Sequence, residues 1–135
     1  MSVHKEMESA LNTALIGAFP TTQIFFENQD GNDEATVPFM VCNFLPATPE
    51  ILEPHYNGKQ RYPAVYQVTI STEKGKGKYT AYTMLDTLQT VLYRGAYLTS
   101  GGVITRIQTV HPESGRDEIG LFEIPVTVTC FATYP

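Results

Sequence analysis

"AVYQVTISTEKGKGKYTAYTMLDTLQTVLY", residues 64–93, decides how the rest of the chain is read. At its start Val65, Gln67, Thr69 and Ser71 alternate with Tyr66, Val68 and Ile70. A period of two predicts a half-buried strand. From Lys78 to about Tyr93 the period becomes helical. Tyr82, Leu85, Leu88, Val91 and Leu92 form the expected buried stripe, and Thr83, Asp86, Gln89 and Thr90 face outward. Arg94 suits the negative end of a helix dipole, and Gly95 is a natural stop.

Between strand and helix lies a turn with two glycines, Gly75 and Gly77, among three lysines, Lys74, Lys76 and Lys78. This is the local pattern of a phosphate-binding loop. A dinucleotide fingerprint would need a third glycine where this chain has Thr80. The four-residue spacing of a P-loop is absent too. A solvated turn is the better reading, with a basic patch against an acidic partner as the residual one.

Upstream, Ser2 is a plausible N-cap. Val3, Met7, Ala10, Leu11, Ala14, Leu15 and Ala18 then form one apolar helical stripe that Pro20 ends, so a helix is expected at about 3–18. "TQIFFEN" (22–28) is a short strand candidate, and "FMVCNFL" (39–45) is apolar on both faces, as a central strand would be. Downstream, strands are expected over 102–110 and 120–131. In the last of these Phe122, Ile124, Val126, Val128 and Cys130 share a face. Pro125 should place that strand at an edge or at a bulge.

The expected fold is therefore α+β: a single mixed, mostly antiparallel sheet of about five strands with two helices packed on it, in the order α-β-β-β-α-β-β. One domain spanning 1–135 suits the length, which lets folding bury roughly two thirds of the unfolded chain's surface. A net charge of −5 argues against broad adhesion to nucleic acid or anionic membrane. The N-terminus lacks the apolar core of a signal peptide, and a soluble, intracellular product is expected.

No catalytic constellation emerges. Cys42 and Cys130 sit in apolar strand-like runs and read as reduced core thiols. His4, His55 and His111 are not spaced as metal ligands and are expected on the surface. Asp30, Asn32 and Glu34 alternate as in a calcium loop, but Ala35 and Val41 occupy the positions that need glycine and glutamate. The two Ser-x-x-Lys matches lack companion motifs. No cofactor or metal is expected. The aromatic content points elsewhere: eight tyrosines, with Tyr56, Tyr62, Tyr97 and Tyr134 expected in loops or at termini, as an assembly subunit would offer.

The segments "MSVHKEMESAL", "VPFMVCNFLPATPEI", "RYPAVYQVTI", "LTSGGVITRI" and "FEIPVTV", with the glycine turn leading into the second helix, cover most of the chain. On these the sequence resembles the tail terminator (tail completion) proteins of long-tailed bacteriophages. The resemblance implies a non-enzymatic virion protein assembled as a ring of six. Such a ring caps the tail tube, stops its polymerisation and offers the surface for the head connector, while DNA passes through its lumen without specific binding. Interface residues are then expected in loops 28–37, 46–62 and 111–119 and beside them: Asp30, Asp33, Glu34, Glu50, Glu53, Tyr56, Lys59, Arg61, Tyr62, Lys74, Lys76, Lys78, Tyr97 and Arg116. A head-tail stopper, a tail-tube subunit, or a small-ligand-binding or enzymatic α+β domain stand as alternatives.

Overall fold

The computed structural model describes residues 2–26, 37–55, 58–73, 75, 78–118 and 120–134. Helix α1 (Val3–Ala18) opens on its expected cap: Ser2 is extended, and its Oγ accepts from the Lys5 amide at 3.2 Å. Strands β1 (Gln23–Phe25), β2 (Phe39–Pro46), β3 (Glu50–Ile51) and β4 (Gln60–Glu73) follow. Helix α2 (Lys78–Val91) then leads to β5 (Tyr97–Ser100), β6 (Val103–Pro112), β7 (Arg116–Glu118) and β8 (Leu121–Tyr134). The fold is α+β: a curled, mixed sheet of eight strands with two helices.

The sheet therefore has more strands than the five expected. β3, β5 and β7 carry no strand signal in the sequence because two to four residues are too few to show a period. They also draw their order from their partners: β3 continues the row of β2 along β4, and β7 continues the row of β6 along β8. The main order is β1-β2-β4-β8-β6-β5, with β1 parallel to β2 and the other pairs antiparallel. β4 and β8 form its spine, paired without interruption from Gln60↔Tyr134 to Glu73↔Leu121.

β8 is thus central, which overturns its expected place at an edge. The one register shift in β6 lies between Ile107 and Thr109, away from Pro125. Pro125 is tolerated because of the direction its backbone faces. Its carbonyl accepts from the Glu113 amide at 2.8 Å, on the side where β6 has ended and β7 has not begun. In an antiparallel strand a residue's N–H and C=O point the same way, so the missing donor faces that gap. Pro63 of β4 repeats the device. Its carbonyl accepts from Ala47 at 3.0 Å in the gap between β2 and β3.

One face of the sheet takes the helices. Tyr66, Val68 and Ile70 of β4 and Ile124, Val126, Val128 and Cys130 of β8 are all buried there, as their alternation predicts. Against them α1 presents Met7, Leu11 and Leu15, each with no exposed surface. The α2 stripe is turned from the expected one: Ala81, Met84, Leu88 and Leu92 are buried, whereas Tyr82 is 41% exposed. Spacings of three and four fit both registers. The small Ala81, at 0% exposure, lets the helix approach the core without the volume of a tyrosine. β2 is not covered on both sides, for its second face leaves Leu45 49% exposed.

Candidate assembly surfaces

The spine of β4 and β8 has two ends, set by thirteen residue steps at ~3.3 Å each, roughly 40 Å apart. The residues expected at interfaces divide between them. At the end where β4 begins, Glu50 of β3 lies opposite Arg61 of β4. Lys59 is exposed, and its carbonyl accepts from the amides of Leu52 (3.0 Å) and Glu53 (3.2 Å). The carboxylate of Glu53 meets His55 Nε2 at 3.0 Å in an exposed pair. At the other end, Arg116 of β7 reaches Glu123 Oε2 at 3.5 Å. Lys78 opens α2 with its ammonium 5.9 Å from the centre of the Tyr82 ring. Asp30, Asp33, Glu34, Tyr56, Lys74 and Lys76 lie outside the described residues.

Several of these side chains sit in strands where loops were expected. Residues 46–62 contain β3 and the start of β4, and 111–119 contain the end of β6 and all of β7. Tyr62, Tyr97 and Tyr134 belong to β4, β5 and β8. Tyr62 points to the helix side, where its ring meets that of His4 edge-on at 5.7 Å. His4 is therefore part-buried rather than a surface residue, between Tyr62 and Phe44, and its Nε2 is buried without a hydrogen-bond partner among the described residues. The i, i+4 register of α1 turns His4 towards β2 and β4, a placement that needs the tertiary packing to be known.

On the sheet face away from the helices the structure assembles a cluster that only partly appeared in the sequence. Cross-strand register sets Tyr97 beside Arg106, and Arg106 beside Phe131. The Arg106 guanidinium lies 4.5 Å from the Tyr97 ring and 6.0 Å from that of Phe131, and it also donates to the Tyr97 hydroxyl. The Arg61 guanidinium also lies over the Phe131 ring, at 4.5 Å. Cation–π contacts of this kind contribute about 0.5–1 kcal/mol each at exposed sites. Tyr97 (60%) and Ile104 (52%) remain largely open. Arg61 and Tyr97 were expected at an interface; Arg106, Phe131 and Ile104 were not. Their outward alternation is visible in sequence, but the register that brings four strands into one row is not.

The thiols are structural. Burial pushes Cys42 up to about 12, against a smaller opposing effect of its hydrogen bond with Tyr66, and burial does the same to Cys130. Cys130 Sγ lies 3.6 Å from the Ala64 carbonyl. Tyr66 is raised as well, chiefly by burial and then by Cys42. A nucleophile needs the reverse, an accessible thiol held in its anionic form. Among the described residues no group of three metal-ligating side chains occurs, and no helix is long and apolar enough to cross a membrane.

Exposed aromatic and arginine side chains lie together on this sheet face, and these are residue types enriched at protein–protein contacts. A family model for phage tail terminator proteins matches residues 2–129, and the chain belongs to that family, a structural one of the virion tail. No curated protein matches the chain. Among solved structures, one shares the fold at a TM-score of 0.73 and 16% identity, covering 95% of this chain and 91% of its own. A chain from the virion of a native gene transfer agent particle matches at a TM-score of 0.59 and 11% identity, with 98% of each chain covered.

Proposed function

We propose that residues 1–135 act as one domain that assembles as a closed homohexameric ring on the end of the tail tube. The ring stops tube polymerisation and offers its opposite surface to the head-tail connector or stopper protein. The observation that carries this reading is the family match over residues 2–129. The separation of the two ends of the β4–β8 spine supports it, because a cap between tube and connector needs two distinct faces. So does the net charge of −5, since a lumen that passes DNA should not retain phosphates. Assembly takes place in the host cytoplasm, without catalysis or a cofactor.

The test is to remove the protein during tail assembly and measure tube lengths by electron microscopy. Tubes that overgrow without a fixed length are expected, and resupplied protein should restore uniform, capped tubes. Tubes of normal length and normal ends in its absence would exclude the terminator role. Tubes absent altogether would indicate a tube subunit instead.

A further inference from the structure

A closed ring needs two unlike patches on each subunit that meet head-to-tail. The charge distribution supplies two. Glu27, Asp30, Asp33 and Glu34 stand in one short segment without a lysine or arginine, so most of the net charge of −5 is concentrated there. Three of the four arginines gather around the β4–β8–β6 part of the sheet. Arg106 and Arg61 interleave with Tyr97 and Phe131, and Arg94 joins Arg106 along a groove of about 490 Å³ that Thr109 and Thr129 also line. None of the three makes an ion pair among the described residues, and Arg61 Nε is buried there with no hydrogen-bond partner.

We propose that the acidic segment 27–34 of one copy docks on the arginine–aromatic face of β5, β6 and β8 of the next. This rests on the ring reading above and names the contact that closes it. The segment's own face is out of reach. Its anchor, β1, lies four strand spacings from β6, or ~19 Å across the sheet. The anchor row Phe25–Val41–Thr69 is also displaced ~13 Å along the strands from the row Val65–Thr129–Thr109 that lines the groove. The ten residues between Phe26 and Val37 are tethered at both ends, so their backbone extends no more than ~20 Å from its anchors, short of the ~23 Å that these two displacements combine to. A neighbouring copy, placed edge to edge with β1 against β5, brings the two patches together. Opposite charge then selects this register, while the aromatic rings supply apolar area.

The test compares four proteins by light scattering over a concentration series. These are the wild type, R94E/R106E, D30K/D33K/E34K, and a chain carrying all five changes, with circular dichroism to confirm folding. R94Q/R106Q replaces the first variant if it fails to fold. Each single-patch reversal should raise the half-assembly concentration at least ~10-fold, and the combined reversal should return it to within ~3-fold of wild type. Salt should weaken wild-type assembly between about 50 mM and about 500 mM. Wild-type rings that neither reversal disturbs overturn this interface and leave the ring standing. A wild type that stays monomeric at every concentration overturns the ring reading and this contact with it.

Discussion

The hydroxyl of Tyr66 donates to Oδ1 of Asn12 across 2.6 Å, tying the spine strand β4 to the middle of α1. Tyr66 is only 1% exposed, so the bond forms at the boundary between the apolar core and the partly exposed side of the helix. Replacing Tyr66 with Phe removes the donor but keeps the ring, and should cost about 1 kcal/mol. Tyr66→Ala also opens a cavity and should cost about 3–5 kcal/mol. Urea denaturation of both variants checks the ordering. An equal loss in the two would mean that the hydroxyl, not the packing, dominates.

The β5–β6 hairpin turns through Gly101 and Gly102, both at positive φ, directly against α1. A Cβ on Gly101 would lie 2.3 Å from the Glu6 carboxylate, which also accepts from Ser100 Oγ at 2.8 Å; a Cβ on Gly102 would meet nothing. Gly102→Ala should therefore cost about 1–2 kcal/mol of backbone strain, and Gly101→Ala more. Placing Gly101→Ala in a Glu6→Ala background should reduce its cost to that of Gly102→Ala. Thermal melts of the wild type, the three single variants and the double variant decide it, and an unchanged Gly101→Ala penalty in that background would remove Glu6 from the account.

Raised thiols make stability depend on alkaline pH. Cys42 and Cys130 titrate at about 12 in the folded chain, against 9.0 when exposed. Above pH 9 the unfolded chain loses these protons first, so the folded state binds more. Their stabilising contribution is complete below pH 9 and declines as pH rises towards 12, by on the order of 1 kcal/mol per pH unit for each thiol. The denaturation midpoint should fall across that window, and less steeply in a Cys42→Ala, Cys130→Ala double variant. At pH 8 both thiols should react with iodoacetamide far more slowly in the folded protein than in urea.

Residues 50–59 include β3, which lies at one end of the spine, with Ile51 72% and Leu52 45% exposed. Their deletion should leave the circular dichroism of the fold intact while abolishing ring formation or attachment to tails. An unfolded deletion variant would show that β3 supports the spine rather than serving as a contact surface.

The helices and the two long strands were legible because each repeats a period for many residues. The stripe of α1 and the inward face of β8 emerged almost unchanged. What sequence could not convey was information held between strands. Pro125 argued for an edge, yet β8 is central, because tolerance depends on which neighbour has stopped beside the proline rather than on the proline alone. The arginine–aromatic cluster was only half visible for the same reason. Arg61, Arg106 and Phe131 are far apart in the chain; register sets Arg106 opposite Phe131 and Arg61 opposite Thr133, two residues further along β8 on the same face. His4 was misplaced because an i, i+4 helical pattern does not say which strand the side of the helix will meet.

The central claim is a ring, and absolute mass tests it most directly. Light scattering on a sizing column, over a wide concentration range, should show a plateau near ~90 kDa, six copies of the 15.0 kDa chain. A mass that remains at one chain throughout, or one that climbs without a plateau into filaments, would contradict it.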